Sequence, residues 1–357
     1  MRFFSCVCGN RLFFENVQCV GCGARAGFCP VCREITALHP DGGDTWRCGN
    51  RACGARLNLC RNYSEHDVCN ACVTEEEAAD PAKTFCAACR CNETIPDLSV
   101  EDNRAKWARL EAAKRRLFCE LNMLNLDFGS AADGCAFPLS FDFKADRSSG
   151  SGGFREMDEG EVVYTGHDSG KITINIREAD DAEREKLRVI LGEKHRTLIG
   201  HFRHEIAHYF WEKWFGGSPP PDCIRLFGDP GNPPYQEALE RYYKSGPPPD
   251  WNRRFISTYA TMHPFEDWAE TFAFYLDMEA SLFTARSLHL LEADVPADFD
   301  TRLDTMQEMG IRLNEMNRTM GLPDLVPEIV PAPAREKLRF VDRCVRANGA
   351  IANVPVA

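Results

Sequence analysis

His204, Glu205 and His208 form an HExxH motif (HEIAH) inside an aromatic-rich stretch. On a helix, four-residue spacing sets the two imidazoles one above the other, so both can reach a single metal ion. Glu205 falls at the adjacent edge of that face, where its carboxylate can polarise a zinc-bound water. The chemistry implied is hydrolysis of an amide bond. The competing reading, two histidines hydrogen-bonded in an ordinary core, must explain why so apolar a segment carries His and Glu. An unpaired polar group there costs on the order of 1–3 kcal/mol, and metal ligation supplies the partners.

The element that positions the motif is a helix over 196–215 (RTLIGHFRHEIAHYFWEKWF), with Leu198, Ile199, Phe202, Ile206, Ala207, Phe210 and Trp214 burying most of its surface. A catalytic zinc takes three protein ligands and keeps one position open for water. No third histidine follows at the HExxHxxGxxH spacing, because a Pro-rich loop begins after Gly216. A second helix is expected within 255–278 (FISTYATMHPFEDWAETFAFYLDM), opened by Pro264. Glu266 and Glu270 then lie one turn apart on one face, packed round by Phe265, Trp268, Ala269 and Phe272. His201 and His263 are read as ordinary surface or core histidines.

A helix-borne Glu after HExxH, followed four residues later by a second acid, resembles the gluzincin arrangement. That resemblance implies Glu266 as the third zinc ligand and Glu270 as the carboxylate that orients a ligand histidine. It also implies Tyr259 as the phenol that donates to the tetrahedral oxyanion, a charge present only in the transition state. Such peptidases bind substrate as an extra strand. A candidate sheet lies upstream, with strands expected at 161–165 (EVVYT) and 171–176 (KITINI) joined by a turn at 166–170 (GHDSG). Its free edge would present backbone groups to an extended peptide.

Cysteine is the second large feature: 18 in the chain, 14 of them in the first 91 residues. The start of the chain lacks a basic stretch followed by an apolar core, so no signal peptide is expected, and no apolar run is long enough for a membrane span. A reducing cytoplasm is the expected location, and clustered thiolates there mean metal. Cys6, Cys8, Cys19 and Cys22 make one pair of knuckles, each aiming two sulfurs at one tetrahedral ion. Cys29, Cys32, Cys48 and Cys53 make a second set, with a hairpin turn expected at Asp41-Gly42-Gly43-Asp44. The third set is open by spacing alone. Cys60, Cys69, Cys72, Cys86, Cys89 and Cys91 offer six thiols where four are wanted.

"FFEN" after a CxCG knuckle, "CRNY", "VCN", a CxxC, "IPDLS" and "KWARLEAAKRRL" together resemble the bacterial family of zinc-binding metallopeptidases that carry an N-terminal zinc ribbon. "TGHDSGKITINIREADDAERE", "RTLIGHFRHEIAHYFW" and "HPFEDWAETFAFYL" resemble its peptidase half, so the likeness runs from the first ribbon to about residue 280. It implies Cys60, Cys69, Cys86 and Cys89 as the third ligand set. Cys72, Cys91 and the extra ribbon at Cys29–Cys53 depart from its usual pattern.

The expected fold class is α+β: small β zinc-ribbon modules, then a mainly helical zincin-like domain with a small sheet. Residues 1–95 are too metal-rich to hold a large core and draw stability from zinc. Residues 96–130 hold a linker helix (97–124), capped at Asp102 or Asn103, with a stripe of Trp107, Leu110, Leu117, Leu121 and Leu124. Lys106, Arg109, Lys114, Arg115 and Arg116 are expected to decorate its remaining, solvated surface. The peptidase domain is expected at 131–325, with a flexible stretch at 147–154 and Pro-rich loops at 217–222 and 246–250 bordering the cleft. A tail at 326–357 carries a short helix over 335–348.

The chain's net charge of −12 argues against nucleic acid as the main substrate. Residues 1–60 alone hold seven Arg and four acids, a modest positive excess compatible with a solvated structural ribbon. The function expected is a zinc peptidase with one catalytic and about three structural zinc ions, acting on a protein or peptide, with ribbons that recognise substrate or partner and with no membrane association. The alternative is a zinc-ribbon adaptor, for protein or nucleic acid, whose peptidase-like domain is inactive or very slow. The intact His204, Glu205, His208 and Glu266 favour the first.

Overall fold

A computed structural model describes residues 2–146, 163–191, 197–291 and 294–349. The chain forms two compact units, one of residues 1–118, 128–166 and 171–181, the other of 119–127, 167–170 and 182–357. The flexible stretch expected at 147–154 lies outside the described residues.

The first unit opens with a two-residue hairpin, β1 (Phe4–Ser5) and β2 (Arg11–Leu12). Its knuckle turns close on Gly9 (φ 85°) and Gly23 (φ 73°), backbone conformations that suit glycine. A five-stranded antiparallel meander follows in the order β3 (Ala26–Cys29), β4 (Glu34–Pro40), β5 (Thr45–Cys48), β6 (Arg56–Leu59) and β7 (Cys72–Thr74). Asp41–Asp44 joins β4 to β5, as the composition of that turn suggests. Three short helices, α1 (Arg61–Ser64), α2 (Glu75–Ala78) and α3 (Ala87–Arg90), fold back the intervening segments. Thr74 and Glu77 make a reciprocal capping box on α2.

The long helix α4 (Asn103–Met123) lies within the expected 97–124 and begins where the cap is expected, at Asp102 or Asn103; ahead of it Asp97 ties Ser99 into a turn and Asp102 takes φ 67°. Trp107, Leu110, Leu117 and Leu121 are fully buried, but so is Lys114, and Arg115 is 9% exposed. Two of the cations expected in solvent are therefore inside. Their compensation comes from Glu111, which accepts from Lys114 Nζ at 2.9 Å, and from the thiols of the third cysteine set. Burial works against both charges, yet these neighbours hold each cation above its ordinary pKa.

A four-stranded sheet has the order β10-β11-β9-β8, from β8 (Asn92–Thr94), β9 (Ser140–Lys144), β10 (Gly166–Asp168) and β11 (Lys171–Asn175). The hairpin expected here exists in shifted form. Its first strand occupies residues assigned to the turn, 163–165 lie outside any strand, and 161–162 lie outside the described residues. The reason is a two-residue turn, Ser169-Gly170, with φ of 50° and 82°, the left-handed pair that matches strand twist. At the other end, Ile176 enters a 3-10 turn and leaves the strand.

The second unit is helical. After α5 (Asp181–Leu191) come α6 (Leu198–Phe215), α7 (Pro221–Phe227), α8 (Tyr235–Ser245), α9 (Pro264–Ser287), α10 (Phe299–Thr319) and α11 (Ala332–Asn348). The first Pro-rich loop is shorter than expected, since Pro221 already starts α7. Thr197 caps α6 by accepting from Gly200 N, and Gly216 (φ 53°) stops it. α6 and α9 pack through Trp211, Trp268, Phe210 and Phe272, and Trp268 Nε1 donates to the Ala207 carbonyl at 2.9 Å. α11 is tied to α9 by Lys337 on Asp267 and by Tyr275 donating to Asp342.

Candidate metal centre and active site

α6 presents His204 and His208 toward α9, and Pro264 starts α9 so that Glu266 falls in its first turn opposite them. His208 Nε2 lies 3.1 Å from His204 Nε2, while Glu266 Oε2 lies 2.9 Å from the first and 3.6 Å from the second in the order His204, His208. Donors at the corners of a tetrahedron with bonds of 2.0–2.1 Å stand roughly 3.3–3.4 Å apart, which these spacings straddle. Glu266 is 2% exposed, and its Oε2 has no hydrogen-bond partner among the described residues. A buried carboxylate oxygen stranded between two imidazole nitrogens fits a shared cation. Burial raises the Glu266 pKa, but His208 and His204 outweigh it and hold the carboxyl well below its usual range.

Glu270 lies one turn on, 2.7 Å from His204 Nδ1. That contact places the imidazole proton on Nδ1 and leaves the Nε2 lone pair directed at the cluster. His208 instead stacks on Phe265, with ring centroids 4.0 Å apart, and its Nδ1 finds no acceptor among the described residues. Glu205 is 8% exposed, its buried Oε2 has no hydrogen-bond partner among the described residues, and burial raises its pKa. Tyr259 sits in a 3-10 turn (Tyr259–Thr261), its ring 6.0 Å from that of His204. His263 is structural: its Nδ1 accepts from Phe265 N as the cap of α9, and its Nε2 donates to the Pro233 carbonyl.

Two residues near this cluster carry no local sequence signal. Tyr235, at the start of α8, donates its hydroxyl to Glu266 Oε1 at 2.9 Å. His167 enters from the hairpin, its ring edge-on to Tyr209, with Nε2 accepting from Gly170 N at 3.1 Å. Burial first, then the neighbouring His208, pushes the His167 pKa down to about 4 from 6.5. The folded ring stays neutral where the unfolded one protonates, so its contribution to stability is complete above pH 6.5 and is lost as pH falls toward 4. Between those limits the loss should reach on the order of 2–3 kcal/mol. Urea unfolding at pH 7.5 and 5 should show a drop that is smaller in His167→Gln, and equal drops would refute the assignment.

The three cysteine sets converge in the first unit. Sulfur pairs stand 3.7 Å apart in Cys6/Cys22 and Cys8/Cys19, and 3.8 Å apart in Cys29/Cys53, Cys32/Cys48 and Cys69/Cys86. The edge of a zinc–thiolate tetrahedron is roughly 3.8 Å, whereas a disulfide needs about 2.05 Å. Cys60 and Cys89 complete the third set. Cys72 stays out of it, buried against Cys29, Leu38, Cys48 and Leu57, and Cys91 turns toward the Ala87 carbonyl. The sets differ in burial: Cys8 and Cys22 are exposed, Cys32 and Cys53 half-buried, and all four sulfurs of the third set buried.

The family model described as "Putative zinc-binding metallo-peptidase" matches residues 103–344, and a zinc-ribbon model matches residues 3–100. The chain belongs to this zinc-binding metallo-peptidase family. An uncharacterized protein of Mycobacterium bovis and two of Mycobacterium tuberculosis strains are each 37% identical to it over 358 residues, covering 97% of this chain and 95% of theirs. No solved structure matches it. Three cysteine tetrads and the His204, His208, Glu266 cluster accommodate about three structural zinc ions and one catalytic zinc. Among the described residues, no helix is long and apolar enough to cross a membrane.

Proposed function

We propose that residues 131–325 hydrolyse peptide or amide bonds as a gluzincin-type zinc peptidase, with 1–95 serving recognition. The observation that carries this is the buried Glu205 Oε2, without a hydrogen-bond partner among the described residues, together with the convergent His204 Nε2, His208 Nε2 and Glu266 Oε2. These three atoms would hold the zinc. When bound, zinc supplies a Lewis acid that polarises the scissile carbonyl and acidifies water. Glu205 Oε2 takes the proton from the attacking water and returns it to the leaving amine. Tyr259, whose phenol burial keeps protonated, donates to the oxyanion. Glu270 keeps the His204 proton on Nδ1 throughout.

β10 lies at the edge of its sheet and is the strand on which an extended substrate would pair. The ribbons would select the protein substrate, and reduced, metal-held cysteines suit the cytoplasm. Elemental analysis should find about four zinc ions per chain, falling by one in the His204→Ala, His208→Ala double variant while the cysteine-held ions remain. Unchanged zinc in that variant would remove the catalytic centre.

A further inference from the structure

The two oxygens of Glu266 have separate employments. Oε2 faces His204 Nε2 and His208 Nε2 and has no hydrogen-bond partner among the described residues, whereas Oε1 accepts from Tyr235 at 2.9 Å. A carboxylate free to rotate can offer both oxygens to a metal and so fill the position that water needs. A phenol donating to one oxygen opposes that rotation, because turning both oxygens to the metal would stretch or bend its hydrogen bond. We infer that Tyr235 is a positioning residue that holds Glu266 as a one-oxygen ligand and thereby keeps the fourth coordination position open. The inference rests on the metal-site reading above and goes beyond it in assigning a residue from a third element.

The clamp is itself braced. Tyr235 packs its ring against His263 at 5.2 Å, and His263 bonds at once to the Pro233 carbonyl, two residues before Tyr235, and to Phe265 N, one residue before Glu266. The segment that carries the phenol and the helix that carries the carboxylate are thus fastened to the same imidazole. Although 40% of Tyr235 is exposed, its hydroxyl is turned inward onto a carboxylate that is 2% exposed. The hydroxyls of Tyr235 and Tyr259 also interact, so the donor proposed for the oxyanion adjoins the clamp.

The test uses the full chain with its cysteine sites filled with zinc. Tyr235→Phe keeps the ring against His263 and removes only the donor. Chelator competition should show the histidine-held metal bound about 10–100-fold more weakly, the range for losing a group that orients a ligand, with the cysteine-held zinc retained. Tyr243→Phe, at an exposed tyrosine of the same helix, should keep the parent's affinity. Cobalt(II) loaded into the histidine site adds a readout that a general loss of stability does not mimic. Its visible absorption weakens as coordination number rises, so Tyr235→Phe should lose intensity as Glu266 turns to offer both oxygens. Retention within about twofold of the parent, or an unchanged cobalt spectrum, overturns the role of Tyr235. A parent chain that binds metal only at its cysteines defeats the metal-site reading instead.

Discussion

Glu205→Gln is expected to keep all of its zinc and to lower peptide hydrolysis about 10²–10⁴-fold, the usual contribution of a positioned general base. The amide nearly matches the carboxylate in shape, so the packing around α6 is undisturbed, and Glu205 is not among the three groups whose ligand atoms converge. What is lost is an oxygen able to accept the water's proton and later release it. Because the group acts on the transition state, kcat should fall with KM little changed. Turnover equal to the parent's would exclude Glu205 as the base. Since the variant still binds substrate, proteins that co-purify with it would reveal what the ribbons select.

The largest effect on stability is expected from Cys69→Ser. All four sulfurs of its set are buried, and Arg115 and Lys114 are buried alongside. Arg115 Nη1 donates to the Val68 carbonyl at 3.0 Å, and Glu111 Oε2 stands 3.9 Å from Cys89 Sγ. Losing that zinc site leaves two interior cations without much of their compensating charge, in addition to the metal's own contribution to folding. A loss of at least about 3–5 kcal/mol is expected, read as an earlier denaturant midpoint for the first unit. Cys8→Ser, at the exposed set, should cost distinctly less. Equal losses would show that the buried cations do not depend on the third set.

What the sequence made legible follows from how locally each feature is encoded. HExxH and the Glu266/Glu270 pair are helical spacings, and Pro264 sets the register of α9, so two histidines and two carboxylates could be placed on helix faces without tertiary information, while the choice of Glu266 as the ligand came from the family resemblance. The first two cysteine sets are likewise written in short knuckles. The third offers six thiols that spacing alone leaves open; the family resemblance singles out four, and the fold shows why Cys72 is not among those that meet, since it is held in the sheet's own core. Tyr235 was invisible because its partner lies 31 residues away on another helix. Lys114 and Arg115 looked like solvated charge, since helical periodicity says nothing of an anionic cluster across the helix. The hairpin shifted because Ser169 adopts a left-handed conformation that its residue type does not advertise.

The graded burial of the cysteine sets also has a kinetic side. A chelator or an oxidant meets Cys8 and Cys22 at the surface, but it reaches the third set only after the surrounding structure opens. Zinc should therefore leave from the beginning of the chain inward. A preparation short of one cysteine-held ion has then lost its outermost finger while its inner framework survives, so its cysteine-held metal records how harshly it has been handled.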